Sequence, residues 1–131
     1  MSSRSGRIIA LSGLLLAAAT VFGALGGHAL RAQLPPDRLE VYETAVRYHF
    51  YGALGLLGIG VAARFITSRL LTWAAALVIA GMLLFSGSIY LLSFGAPRWL
   101  GMVTPFGGLA LMAGWVLLAA AAWRERAASH P

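Results

Sequence analysis

The chain has 131 residues, of which 60% are hydrophobic and 11% charged, against about 25% charged in ordinary soluble domains. A single domain of this size cannot hide that much apolar surface from water, so lipid must be part of its solvent. There is no cysteine, which excludes disulfides, thiolate metal sites and cysteine nucleophiles. The ten basic residues, all arginine, outnumber four acids; they lie between apolar segments, where they set topology and meet lipid headgroups rather than nucleic acid.

Met1 to Arg7 is short, serine-rich and basic. The first charge-free run, 8–27, reads as a membrane span, with Gly13, Thr20 and Gly27 seven apart and Gly23 four before Gly27. Small residues at these intervals line one helix face and let a neighbouring helix approach closely. A cleaved signal peptide competes: Arg4 and Arg7, an apolar core, then Ala17-Ala18-Ala19. The run continues past that point to nearly full spanning length, which favours a retained helix.

His28 to Arg47 is the long polar connection. Pro36 can open a helix, because its missing N–H costs nothing there, and Asp37 and Glu40 suit the positive end of the dipole. Leu39, Tyr42, Val46 and Phe50 then share a face, and Glu43 and Arg47 form an i,i+4 pair in the favourable order. The expectation is a short interfacial helix running straight into a second span, 46–65. That span is awkward, since the 16 residues between Arg47 and Arg64 cover only about 24 Å of helix. It reaches across if the arginines snorkel or the interfacial turn adds length. Gly52, Gly55 and Ala62 share a face and predict burial against partners.

A basic turn, Arg64 to Arg69, precedes the third span, 70–94, within a charge-free stretch from Leu70 to Pro97. Ala74, Gly81, Ser88 and Gly95 recur every seven residues, with Leu77, Leu84 and Leu91 three after each of the first three. That pattern predicts left-handed, coiled-coil-like packing. Thr104 as N-cap and Pro105 at the first position start the last span, 104–123, whose small face is Gly107, Ala110, Gly114 and Ala121. Trp123-Arg124 closes it at an interface. The fold class is therefore all-α, one domain over 1–131, an integral membrane bundle of four transmembrane helices. Its predicted packing positions are Gly23, Gly27, Gly52, Gly55, Gly81, Ser88, Gly107 and Gly114.

One side of such a bundle holds Arg4, Arg7, Arg64, Arg69, Arg124 and Arg126; the other holds Arg31, Arg38, Arg47 and Arg98 among Asp37, Glu40 and Glu43. The bias favours both termini inside and the long connection outside. It also gathers the polar residues of the spans in the outer half. His28, Glu43, Arg47, Tyr48, His49, Ser86, Ser88, Tyr90 and Arg98 form a candidate polar cluster, either an outward-facing pocket or a structural clasp between helices. His28, His49 and Glu43 lack ligand spacing such as HxxxH, so no metal and no cofactor is assigned. No GxSxG, HExxH, phosphate-cradling or dinucleotide-binding pattern is present. No acid lies in the middle of any span, which argues against a small proton-coupled exporter.

Four blocks in order, Gly23-Ala24-Leu25-Gly26-Gly27-His28-Ala29-Leu30, Glu43-Thr44-Ala45-Val46-Arg47-Tyr48-His49, Phe85-Ser86-Gly87-Ser88-Ile89-Tyr90 and Thr104-Pro105-Phe106-Gly107-Gly108, resemble the domain of unknown function 423 family. These are small bacterial inner-membrane proteins with an animal branch called transmembrane protein 256. The resemblance implies four spanning helices, an uncleaved first helix and no particular activity. Gly52 departs from it where many relatives carry His, so any role of that histidine is lost here; Gly27 stands where relatives often have Ala. The leading expectation is a non-enzymatic structural or assembly component of the bacterial inner membrane, multi-pass, contacting membrane lipid and packing against itself or another membrane protein. The alternative is a transporter or transporter subunit whose outward pocket takes a small solute or lipid headgroup. A third is a lipid- or quinone-directed enzyme, with His28 or His49 as base and Glu43 orienting it.

Overall fold

The computed structural model describes residues 3–129 and contains four helices: α1 (Ser3–Gly27), α2 (Pro36–Ala62), α3 (Arg69–Ser93) and α4 (Thr104–Ser129). Short 3-10 turns, Leu30–Ala32 and Arg98–Met102, lie in the α1–α2 and α3–α4 connections, and no strand occurs among the described residues. Three segments are long and apolar enough to cross a membrane: α1 with its following turn, α3, and α4 with its preceding turn. The fourth helix, α2, does not reach that standard. Its first half carries Asp37, Arg38, Glu40, Glu43 and Arg47, and that polarity dilutes the apolar second half.

The expected interfacial helix is not a separate element. α2 runs unbroken for 27 residues, about 40 Å at 1.5 Å per residue, because no proline interrupts it after Pro36. It stops at Ala62, short of the expected Phe65; the chain then turns through residues 63–68. Ser68 starts α3 as its N-cap, its hydroxyl accepting from the Leu70 N–H at 3.2 Å. α3 ends on Gly95 at φ +93°. The Gly95 N–H donates to the Leu92 carbonyl and the Ala96 N–H to the Leu91 carbonyl, both at 3.1 Å. This pair of bonds satisfies carbonyls that the helix end leaves free, and its left-handed residue suits glycine. Gly95 thus closes the helix rather than extending the seven-residue packing stripe.

The helices pack in chain order as a row. α1 lies on α2, α2 on α3 and α3 on α4; α2 meets α4 over a small area. Glycines mark where they approach. A Cβ on Gly26 would stand 2.7 Å from the Tyr42 ring, and one on Gly60 2.8 Å from Ile9. Gly23 faces Val46, Gly52 faces Met82 and Gly55 faces the Trp115 ring. The α3–α4 seam is closest. There a Cβ on Gly81 would lie 2.7 Å from the Leu111 backbone nitrogen, one on Gly114 would lie 3.2 Å from the Ala74 carbonyl oxygen, and one on Gly107 would strike the Phe85 backbone nitrogen. Close approach is how dispersion energy is gained between helices in lipid. The core filled by these seams includes Leu56, Ile59, Leu71 and Val78, all fully buried.

Several predicted packing positions need correction. Gly27, like Gly13, opens onto space with no atom within 4 Å of an added Cβ; its neighbour Gly26 makes the contact. Ala74, Gly81 and Ser88 are buried as the stripe requires, but Leu84 and Leu91 are exposed. The large residues beside the stripe are instead Leu71 and Val78, and Met82 and Ile89 one place after Gly81 and Ser88. A leucine can face lipid at no cost, so leucine spacing alone does not distinguish the two faces. Gly107→Ala is expected to push α3 from α4 and cost about 1–3 kcal/mol, while Gly27→Ala should be neutral or slightly stabilising. Equilibrium unfolding in mixed micelles checks the contrast.

Candidate functional site

Polar side chains within the row are tied to a neighbouring helix or to their own backbone. Tyr42, buried on the inner face of α2, lays its ring on Gly26 and donates its hydroxyl to the Phe22 carbonyl of α1 at 2.5 Å. About two helical turns further, His49 turns inward, with Nδ1 3.0 Å from the Tyr90 hydroxyl of α3. The ring also lies beside Phe22 of α1, with centroids 6.1 Å apart. His49 therefore joins three helices. Ser86 donates from α3 to the Ala45 carbonyl of α2 at 2.9 Å. Ser88, on the opposite flank of α3, lies 2.6 Å from the Thr104 hydroxyl at the start of α4. Among the described residues no buried side-chain nitrogen or oxygen lacks a partner.

Aromatic rings surround these bonds. Phe22 and Tyr42 stack obliquely on Tyr90, with centroids 5.1 and 5.4 Å away, and Phe94 meets Tyr42 edge-on at 5.9 Å. On the other side of α2, Tyr48 packs against Phe85 at 4.5 Å and Tyr51 at 5.4 Å. Crevices remain between the helices, and two of them border these rings. One of about 270 Å³ lies among α2, α3 and α4, with Tyr48, Tyr51, Phe85 and Trp115 on its walls. The other, about 260 Å³, lies among α1, α2 and α3, with Leu15, Phe22, Met82 and Gly87 around the His49–Tyr90 pair. Their walls are mainly carbon.

The structure thus divides the predicted polar cluster. His49, Ser86, Ser88 and Tyr90 are drawn into the helix seams, and Tyr48 borders the α2–α4 crevice. His28, Glu43, Arg47 and Arg98 are exposed. Glu43 and His49 sit six positions apart on one helix and so on different faces, and the His49 partner is Tyr90; the carboxylate–imidazole pair required by the enzyme reading is not formed. No three histidines or acids among the described residues come together as a metal site.

Four contributors were not singled out from sequence as members of this network. Periodicity puts Tyr42 on the right face but carries no sign of its polar role. The sequence points to Thr104 as an N-cap; it is instead the first residue of α4, and its hydroxyl is the Ser88 partner. Ser5 donates to the Gly60 carbonyl at 2.8 Å. Arg4 donates to the Ser68 carbonyl at 2.8 Å, the Ile66 carbonyl at 3.0 Å and the Thr72 hydroxyl at 3.1 Å. A serine or arginine next to a chain terminus carries no local signal of such contacts, which span more than 50 residues.

Comparison with known proteins bears on this arrangement. The model of the family described as "Protein of unknown function (DUF423)" matches residues 22–108, a segment that holds Tyr42, His49, Ser86, Ser88, Tyr90 and Thr104. The chain belongs to this family. It is 44% identical over 96 residues to the UPF0382 membrane protein SH2409 of Staphylococcus haemolyticus, covering 73% of this chain and 78% of that one. It is 40% identical over 105 residues to the UPF0382 membrane protein YwdK of Bacillus subtilis, covering 76% and 82%. The UPF0382 inner membrane protein YgdD of Escherichia coli K12 is 33% identical over 123 residues, 92% of each chain. No solved structure matches. The chain is accordingly a helical membrane protein of the DUF423 family.

If the seam bonds hold the helices together, Tyr42→Phe and Tyr90→Phe should each cost about 0.6 kcal/mol, the average for hydrogen bonds between membrane helices, and no more than about 1.7 kcal/mol. Arg47→Ala and Arg98→Ala should stay within about 0.5 kcal/mol of wild type. Unfolding in mixed micelles separates the two pairs.

Proposed function

We propose that this DUF423 protein is a non-enzymatic, multi-pass component of the bacterial inner membrane that acts as a small structural or assembly partner. In this reading α2 crosses the bilayer beside the three more apolar helices, and both termini are cytoplasmic. α2 is long enough to do so at about 40 Å, and its first turns stand in the headgroup layer with Asp37, Arg38, Glu40 and Glu43. The arginine distribution supports the orientation.

The observation that carries the proposal is the fate of the polar residues. His49, Ser86, Ser88 and Tyr90 are committed to holding helices together, and the charged members of the cluster stand apart from them. The crevices between the described helices lack the polar lining that a solute pathway needs, which weighs against the transporter alternative. What the molecule offers to its surroundings is an apolar exterior on an open row. Leu14 and Val21 on α1 are exposed by 71% and 58%, Leu109 and Val116 on α4 by 59% and 66%. Such surface is covered by lipid, by a second copy or by another membrane protein.

Native mass spectrometry of the protein released from its own membrane tests this directly. The expected result is a discrete complex, with itself or with a second membrane protein, that persists in Arg47→Ala. A monomer retaining a polar small molecule that Arg47→Ala loses would replace this reading with the pocket alternative.

A further inference from the structure

The two ends of the row differ in charge. Antiparallel packing, fixed by Gly60 against Ile8 and Ile9 and by Gly114 against Ala74 and Val78, brings together the start of α1, the end of α2, the start of α3 and the end of α4. This end holds Arg4, Arg7, Arg64, Arg69, Arg124 and Arg126 with one acid, Glu125. At the other end Arg31, Arg38, Arg47 and Arg98 share the surface with Asp37, Glu40 and Glu43.

The arginines of the first end have different tasks. Arg4 is spent inside the protein: its three hydrogen bonds to Ile66, Ser68 and Thr72 tie the 63–68 turn to α1. That clasp fixes the points from which Arg64 and Arg69 leave the backbone, on either side of the turn. Both are exposed, as are Arg7 and Arg124. Arg7 donates to the Ser3 carbonyl of its own helix, at 3.3 Å, and the Arg126 guanidinium lies over the Trp123 ring at 5.0 Å. Large apolar side chains stand beside these charges: Phe65 between Arg64 and Arg69, Trp73 one turn after Arg69, and Trp123 next to Arg124, exposed by 76%, 63% and 66%.

We propose that this end is a binding surface for anionic phospholipid, with Arg64 and Arg69 as its principal phosphate contacts. A guanidinium matches a phosphate with two parallel hydrogen bonds. The neighbouring Phe65, Trp73 and Trp123 are suited to the acyl-glycerol boundary just below. This juxtaposition of exposed cations and exposed rings selects a lipid over a free anion. Lipid bound across the turn would bridge α2 and α3 at the place where Arg4 already joins α1 to α3.

The test uses the full chain in vesicles of phosphatidylcholine doped with phosphatidylglycerol. It counts lipids retained on gentle release, for wild type, R64Q/R69Q and the opposite-end control R31Q/R38Q. At about 1 kcal/mol per arginine near an anionic surface, removing two should cut the phosphatidylglycerol preference by tenfold or more, with R31Q/R38Q near wild type. Wild type alone should lose phosphatidylglycerol selectively as sodium chloride is raised, which needs no variant. Equal retention of the two lipids by wild type would overturn the proposal. So would salt-insensitive retention, an equal loss in R31Q/R38Q, or displacement of the lipid by inorganic phosphate at low concentration.

Discussion

A polar atom in the hydrocarbon of a bilayer has no water to fall back on, and leaving it unpaired costs several kcal/mol. In the proposed four-span arrangement, that constraint explains where the polar residues of this chain sit. Tyr42, His49, Ser86, Ser88 and Tyr90 all find acceptors or donors on a neighbouring helix. The bonds are modest individually. Their force lies in the alternative, because separating α2 from α3 would strand the Ser86 hydroxyl and the His49 ring together. Glu43, Arg47 and Arg98, whose charges would cost far more to bury, stand at exposed positions.

Hydrogen bonds of this kind require short distances between backbones, and glycine provides them. Gly26 lets the Tyr42 ring lie flat enough against α1 for its hydroxyl to reach the Phe22 carbonyl. Gly81 and Gly107 let α3 and α4 meet nearly backbone to backbone, which also brings Ser88 within reach of Thr104. Packing and polar pairing are therefore one arrangement. It is built seam by seam between sequence neighbours, so each helix adds to the row through the helix before it. At the opposite end from His49, Arg4 and Ser5 close the arrangement by gripping the α2–α3 turn and the last turn of α2.

Much of this was legible in the sequence. α1, α3 and α4 follow from charge-free runs, and Pro36 opens α2 as its chemistry demands; the unbroken passage of α2 through five charged residues does not follow from either signal. Gly23, Gly52, Gly55, Gly81, Gly107 and Gly114 were identified as close-approach positions, and each meets another helix. The polar cluster was legible as a list but not as an arrangement. Spacing places His49 and Glu43 near each other along the chain, yet partner choice is set by which face α2 turns toward α3. Gly26 and Gly27 are adjacent in sequence and differ by 100° around the helix; only the neighbour's position selects between them. Apolar periodicity is similarly silent on Leu84 and Leu91, since lipid and protein interior reward leucine equally.

The claim on which the account rests is that the polar residues of α2 and α3 form a closed clasp and not a water-filled pocket. The chain has no cysteine, so single cysteines can be introduced one at a time and challenged with a membrane-impermeant thiol reagent in intact vesicles of both orientations. The account predicts labelling at positions 28 and 98 and protection at 49, 86, 88 and 90, with each variant retaining wild-type helicity. Rapid labelling at 86 and 49 in folded protein would mean that water reaches the seams, and would contradict it.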